Sequence, residues 1–266
     1  MLMLGDRVEL IDTHCHLDVA DFAHDREAVR WRSGVAGLVG IVIPAIHAAG
    51  WADLLALCAD SSADGPVLYP ALGLHPVYLD QHADQDLAAL ERTVADQRPL
   101  AIGEIGLDFF VRDLDRTRQQ RLFESQLTIA RDARLPVLLH VRKAHDEVLA
   151  ILRRIRVCGG IAHAFNGSLQ QARQYQDLGF KLGFGGMLTF ERSAKLRRLA
   201  AALPLESIVL ETDAPDMTVA AHRGERNSPE YLPDVLAALA QVRESNPFDL
   251  AAQTTTNARE VLELGK

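Results

Sequence analysis

Residues 100–141 read LAIGEIGLDFFVRDLDRTRQQRLFESQLTIARDARLPVLLHV. Two short apolar runs, Leu100–Ile105 and Pro136–Val141, flank a long amphipathic stretch from Asp115 to Ala133. The runs are of strand length and rich in Leu, Ile and Val, whereas the stretch between them has helical periodicity. Strand, helix and strand in that order form a βαβ unit and predict a parallel sheet.

The alternation continues in both directions. Upstream lie strand candidates Val8–Thr13, Leu38–Pro44 and Val67–Leu74, followed by helical patterns over Asp21–Ser33, His47–Ala59 and Asp84–Gln97. Downstream, the helical pattern Lys143–Arg156 leads to strand Gly159–Ala164. Helix Ser168–Leu178, strand Phe180–Gly185, helix Glu191–Leu203 and strand Ser207–Glu211 follow. Helical patterns over Tyr231–Ser245 and Phe248–Leu264 end the chain. The strands are continuous apolar runs, as expected when both sheet faces are covered. Eight such units predict an α/β fold, a single (β/α)8 TIM barrel spanning residues 1–266. A doubly wound open sheet is the alternative, but the glycine-rich nucleotide fingerprints that accompany many such sheets are missing.

Composition narrows the function. The 266 residues are 48% apolar and 24% charged, an ordinary globular balance. A net charge of −8 argues against a broad basic nucleic-acid face and leaves room for a small local one. The start, Met1–Asp6, lacks the basic and apolar regions of a signal peptide, and no run approaches the ~18 apolar residues of a membrane span. Cys15, Cys58 and Cys158 are three in number and far apart, which fits neither a disulfide framework nor a cysteine zinc site. A cytoplasmic protein with no membrane partner is expected, and a monomer is the simplest state. Ten histidines against three cysteines is the unusual feature.

Those histidines concentrate where strands end. The first strand runs into Asp12-Thr13-His14-Cys15-His16, the third into His75-Pro76, the fourth into Glu104 and Asp108, the fifth into His140-Val141-Arg142, the sixth into His163-Ala164-Phe165-Asn166, and the eighth into Glu211-Thr212-Asp213. In a barrel these ends share the face on which active sites are built. His14 and His16, two apart on an extended segment, point the same way and form half a cation site. Taken singly, each residue is equally well a hydrogen-bonded core histidine, a strand-end carboxylate or a helix cap. As a set, His14, His16, Glu104, His140, His163 and Asp213 are a metal-ligand inventory. They exceed the needs of one catalytic zinc and accommodate two divalent ions (Zn, Mn, Mg, Ni or Fe) if Glu104 bridges. Asp213 is the candidate general base. Arg142 could grip a phosphate bidentately or form an ordinary ion pair. Asn166 could contact substrate or cap the next helix. Asp108 could orient Arg142 or hold a turn, and Glu211 could orient a ligand histidine. His24, His47, His82, His145 and His222 read as mostly surface residues, with His145 near the mouth. Met217–Ser228 reads as a mobile loop over it.

The motifs IDTHCHLD (11–18), GLHP (73–76), GEIGLD (103–108), LPVLLH (135–140), HAFNGS (163–168) and LETDAPDM (210–217) together resemble the TatD family of metal-dependent hydrolases. The LETDAPDM form and the following-helix run SLQQA (168–172) are most similar to its YjjV-like branch. The resemblance runs from about residue 8 to the end of the chain. It implies a TIM barrel with a one- or two-metal centre that activates water, and DNase activity, often as a 3′-to-5′ exonuclease. It places metal on His14, His16, Glu104 (bridging), His140, His163 and Asp213, and substrate phosphate or a water on His75. Val77, Val141 and Asn166 depart from the family's usual residues at positions next to the ligands, not at them.

Three functions compete at this stage. The first is a metal-dependent phosphodiesterase acting on DNA, single-stranded or at 3′ ends, with His75, Glu104 and Asp213 catalytic and His75, Arg142 and Asn166 on substrate. The second is an ester or amide hydrolase with the same centre, such as a D-aminoacyl-tRNA deacylase, with tRNA as partner. The third is a non-catalytic metal-binding barrel, which the excess of ligands argues against.

Overall fold

The unit at residues 100–141 folds as read, but its first strand runs further. In the computed structural model, which describes residues 8–60 and 64–265, β4 spans Ala101–Asp108 and is buried throughout. It continues past Gly106, whose φ of +146° and lack of side chain let it lie against the His140 backbone: a Cβ there would sit 2.0 Å from the His140 carbonyl oxygen. The helix after it, α4 (Arg116–Ala133), starts at Asp115, whose carboxylate accepts from the Thr117 and Arg118 N–H groups. Strand β5 (Val137–Arg142) then pairs parallel to β4. The Met1–Asp6 segment read against a signal peptide lies outside the described residues.

The other strands are β1 (Leu10–Asp12), β2 (Leu38–Pro44), β3 (Val67–Leu72), β6 (Gly160–Ala162), β7 (Phe180–Phe184) and β8 (Ile208–Leu210). They lie in the order β1 to β8, every neighbouring pair parallel. The helices between them are α1 (Arg26–Val35), α2 (Trp51–Ala59), α3 (Gln85–Gln97), α5 (His145–Arg154), α6 (Leu169–Asp177) and α7 (Ala194–Ala202), with α8 (Leu232–Arg243) and α9 (Pro247–Val261) closing the chain. Single 3₁₀ turns replace the predicted first turns of the helices after β1 and β2.

The β8–β1 seam is closed by backbone beyond the strands. Thr13 N–H donates to the Leu210 carbonyl at 3.1 Å, Asp213 N–H to His14 at 2.8 Å and His16 N–H to Ala214 at 2.8 Å. Asp12, wholly buried, clips the seam: its carboxylate accepts from His14 N–H, Thr212 N–H and the Thr212 hydroxyl. Burial, with Glu211 nearby, pushes the Asp12 carboxyl up to about 8 despite those hydrogen bonds.

Two apolar layers follow from strand alternation. Ile41 and Ile43 face outward into the large cluster between sheet and helices. Ile11, Val42, Ala71, Ala101, Leu138, Ile161 and Val209, one from each strand except β7, fill the barrel, where Ala258 and Leu262 near the chain end join them. Helix α9 therefore covers the barrel's N-terminal end: Asn257 donates to the Leu205 and Ile208 carbonyls, and Thr255 to Glu9. The opposite end is left for the site. No helix among the described residues is long and apolar enough to cross a membrane.

Candidate metal centre

Two glutamines on the buried face of α4 set the height of the strands that carry the site. Gln119 exchanges hydrogen bonds with the Asp108 backbone, accepting at 2.8 Å and donating at 2.9 Å. Gln126, two turns on, does the same for Leu74, at 2.7 and 3.1 Å. Each side-chain amide thus satisfies one backbone N–H and one C=O that would otherwise be buried unpaired. Leu74 precedes His75, and Asp108 ends the strand that carries Glu104.

Glu104 is the centre of the site, 1% exposed. Its Oε2 lies 3.1 Å from His14 Nε2 and 3.4 Å from His16 Nε2. Its Oε1 lies 2.9 Å from His140 Nδ1, 2.9 Å from His163 Nε2 and 3.4 Å from His75 Nε2. Asp213 Oδ1 stands 3.7 Å from His14 Nε2 and 3.9 Å from His16 Nε2. Its residue adopts a left-handed backbone, φ 59°, in the turn after β8. All six residues read as ligands, and His75, therefore converge.

Hydrogen bonds on the far ring nitrogens sort these histidines. His16 Nδ1–H donates to the Pro44 carbonyl at 3.1 Å, and His140 Nε2–H to Asp108 Oδ2 at 3.0 Å. Each turns its other nitrogen toward Glu104, where it can coordinate a cation once it has given up its proton. His163 Nδ1 lies 3.8 Å from Glu211 Oε1, and His14 is held by stacking on His163 with ring centroids 3.9 Å apart. His75 is the opposite case. Its Nδ1 accepts the Val77 N–H at 3.2 Å, so Nε2 carries the proton and presents a donor to the site.

Charge follows the same geometry. Burial opposes ionisation of Glu104, yet His75, His14 and His163 hold its carboxyl well below the usual range. Burial, with Glu104 and Glu211 nearby, pushes Asp213 up to about 6. Burial and the neighbouring His163 bring His14 down to about 3, and burial and His140 bring His75 down to about 4. Burial opposes charge on His16, yet its hydrogen bond to Glu104 and the nearby carboxylates of Glu104, Asp213 and Asp18 together raise it to about 9 in the metal-free protein.

The donor set fits divalent cations. Three groups have ring and carboxylate atoms close enough to share an ion: His14, Glu104 and His163; His14, His16 and Asp213; and His75, Glu104 and His140, although the proton on His75 Nε2 makes that ring a donor and not a ligand. His140 sharpens the fit, because both its nitrogens face carboxylates and a neutral ring has only one proton to offer. A cation at the Glu104 side satisfies the lone pair that the Asp108 contact leaves there.

A cavity of about 1200 Å³ opens above the cluster, walled by His16, His75, Glu104, His140, His163 and Asp213. Arg142, Lys143, Arg192 and Lys195 stand on its rim with Tyr78, Phe110 and Met217. Arg142 forms no ion pair among the described residues; its guanidinium lies 3.9 Å above the Phe110 ring. Asn166 is exposed at the mouth but caps nothing: α6 is capped by Ser168 with Gln171. Asn166 instead accepts from His145 Nε2 at 3.3 Å, while its backbone carbonyl accepts from Lys195 Nζ at 2.6 Å.

Several sequence expectations are corrected. Of its two readings Asp108 takes the turn-holding one, accepting from the Phe110 and Val111 N–H groups, while its other oxygen binds His140 and not Arg142. His82 and His145 are buried, and His82 donates to the His75 carbonyl at 2.8 Å. The segment read as a mobile loop is tied down: Arg226 pairs bidentately with Asp25, and buried Asn227 donates to the Thr212 and Asp216 carbonyls. Gln119, Gln126, Arg192 and Lys195 carry no motif in the linear sequence, and Asp12, inside IDTHCHLD (11–18), reads there only as part of a strand end.

Comparison with known proteins agrees with this geometry. The TatD related DNase family model matches residues 11–263. The chain is 43% identical over 251 residues to the uncharacterized metal-dependent hydrolase YjjV of Escherichia coli K12, covering 93% of this chain and 95% of that protein. It is 30% identical over 257 residues to the uncharacterized metal-dependent hydrolase YabD of Bacillus subtilis 168, covering 96% and 99%. The crystal structure of Escherichia coli YjjV superposes with a TM-score of 0.90 at 40% identity, covering 96% of this chain and 98% of that one. The chain belongs to the TatD family of metal-dependent hydrolases.

Proposed function

We propose that this protein is a deoxyribonuclease that hydrolyses phosphodiester bonds at single-stranded DNA ends, releasing nucleotides from the 3′ end. The carrying observation is the division of Glu104: Oε2 faces His14 and His16, while Oε1 faces His140 and His163. A carboxylate with a separate nitrogen set on each oxygen is the arrangement that lets one residue bridge two cations. His14, His16 and Asp213 would hold one ion and His140 and His163 the other, with Glu104 shared. Bound there, divalent cations acidify water and offset charge on phosphoryl oxygens.

The remaining work falls to protein groups. Asp213, its carboxyl lifted to about 6 by burial in the metal-free protein, is placed to take the proton of the attacking water. His75 Nε2–H is a donor for a phosphate oxygen, and the Val77 N–H on its other nitrogen keeps it so. Arg142, Lys143, Arg192 and Lys195 make a local cationic rim on an acidic protein, which suits one strand end rather than a wrapped duplex.

The test uses protein stripped with EDTA and reloaded with Mg, Mn or Zn, offered single-stranded DNA beside D-aminoacyl-tRNA. Nucleotide release with at least one metal and none without is expected. DNA left intact with all three metals overturns the reading, and turnover of the aminoacyl ester alone replaces it with the deacylase.

A further inference from the structure

Phe110 is out of place for an apolar residue. It is 53% exposed, yet it sits on the lip of a polar cavity instead of in the core. Its neighbour Phe109 packs against the core, with Arg116 4.5 Å above its ring. The pair thus splits, one ring anchoring the loop and one presented at the mouth. The presented ring is not loose. Phe110 and Val111 both donate backbone N–H to Asp108 Oδ1, at 2.9 and 3.1 Å. The other oxygen of that carboxylate holds His140 Nε2 at 3.0 Å. One carboxylate therefore fixes the ring's position relative to the Glu104 cluster.

Arg142 adds a second planar group. Its guanidinium lies over one face of the ring at 3.9 Å and stays exposed with it. An exposed arginine–phenylalanine pair contributes little to folding by itself. At this place it offers a flat π-surface edged with positive charge, beside Lys143 and facing the site. The ligand that matches has a planar aromatic face joined to a phosphate: a nucleotide, with its base on the ring.

We propose that Phe110, backed by Arg142 and held by Asp108, is a stacking platform for the unpaired base of the nucleotide whose phosphate enters the Glu104 site. This rests on the phosphodiesterase reading above and specifies how that site takes its substrate. It predicts selection for a single-stranded end over a paired one, and tolerance of base identity, because every base has a π-face.

The test compares wild type, Phe110→Ala and Phe110→Trp on two metal-activated reactions. One oligonucleotide carries a normal 3′-terminal nucleotide, and the other ends in an abasic residue with the same phosphates. Wild type and Phe110→Trp are expected to favour the normal end by about tenfold or more in kcat/KM. Phe110→Ala is expected to cleave both at the rate at which wild type cleaves the abasic one. A second readout is metal-free: a 3′-terminal 2-aminopurine should be quenched on binding wild type and Phe110→Trp, and not Phe110→Ala. Equal cleavage of both ends by wild type, or an undiminished preference in Phe110→Ala, overturns the platform and leaves the nuclease standing. Cleavage of neither end by wild type overturns the nuclease reading and the platform with it.

Discussion

The space that a side chain at Gly183 would occupy is taken by the carboxylate of Glu211: a Cβ there would lie 2.0 Å from Glu211 Oε2. Glu211 is wholly buried, accepts from Ala164 N–H at 2.5 Å and sits 3.8 Å from His163 Nδ1. The missing side chain on β7 thus makes room for a carboxylate that stands beside a histidine of the neighbouring β6 turn.

Replacing Gly183 by Ala displaces that carboxylate. Metal affinity should fall about tenfold or more, in the range seen when an outer partner of a metal ligand is removed. An overpacking cost of about 1–3 kcal/mol is also expected. Metal titration of the apoprotein and urea unfolding measure the two. Unchanged affinity would show that Glu211 does not support His163.

Asp108→Asn keeps an oxygen for the Phe110 and Val111 N–H groups and puts an amide against His140 Nε2. The amide donates where the carboxylate accepted, so the proton moves to Nδ1 and blocks the nitrogen that faces Glu104. Metal affinity should fall about 10–100-fold with the fold intact. Calorimetric titration with Zn or Mn, beside circular dichroism, checks both halves.

Gln126→Leu leaves the N–H and C=O of Leu74 buried without partners. Two such groups cost about 2–4 kcal/mol together. Urea unfolding should show that loss, whereas Gln170→Leu, on an exposed face, should change little.

Arg226 holds Asp25 at 2.8 Å from both nitrogens and lowers the Asp25 carboxyl below its ordinary value. A lowered folded-state pKa gives stability that is present above the unfolded carboxylate's pKa and lost as pH falls through the folded value. The 217–228 segment should therefore become more open to protease below about pH 4. Arg226→Ala should open it at neutral pH and flatten its acid dependence, within about 1 kcal/mol because the pair is near the surface. Protease nicking across a pH series checks this.

Strand existence and the converging ligands were legible because both leave linear traces, apolar runs and polar residues at their ends. The β4 boundary was not, since Gly106 reads as a strand end when its φ of +146° in fact carries the strand past His140. Gln119 and Gln126 were not legible either, because periodicity counts an amide as polar whether it meets water or backbone. His82 and His145 read as surface for the same reason. Which nitrogen of His75 or His16 bears the proton depends on Val77 N–H and the Pro44 carbonyl, contacts that only the folded chain creates.

Glu104 divides its oxygens between two nitrogen sets, and anomalous X-ray scattering from metal-reloaded crystals shows whether each set holds an ion. Two peaks are expected, each about 2.0–2.2 Å from a different Glu104 oxygen, one shared with His14 and His16 and one with His140 and His163. Peaks elsewhere, with none in contact with Glu104, would contradict this arrangement.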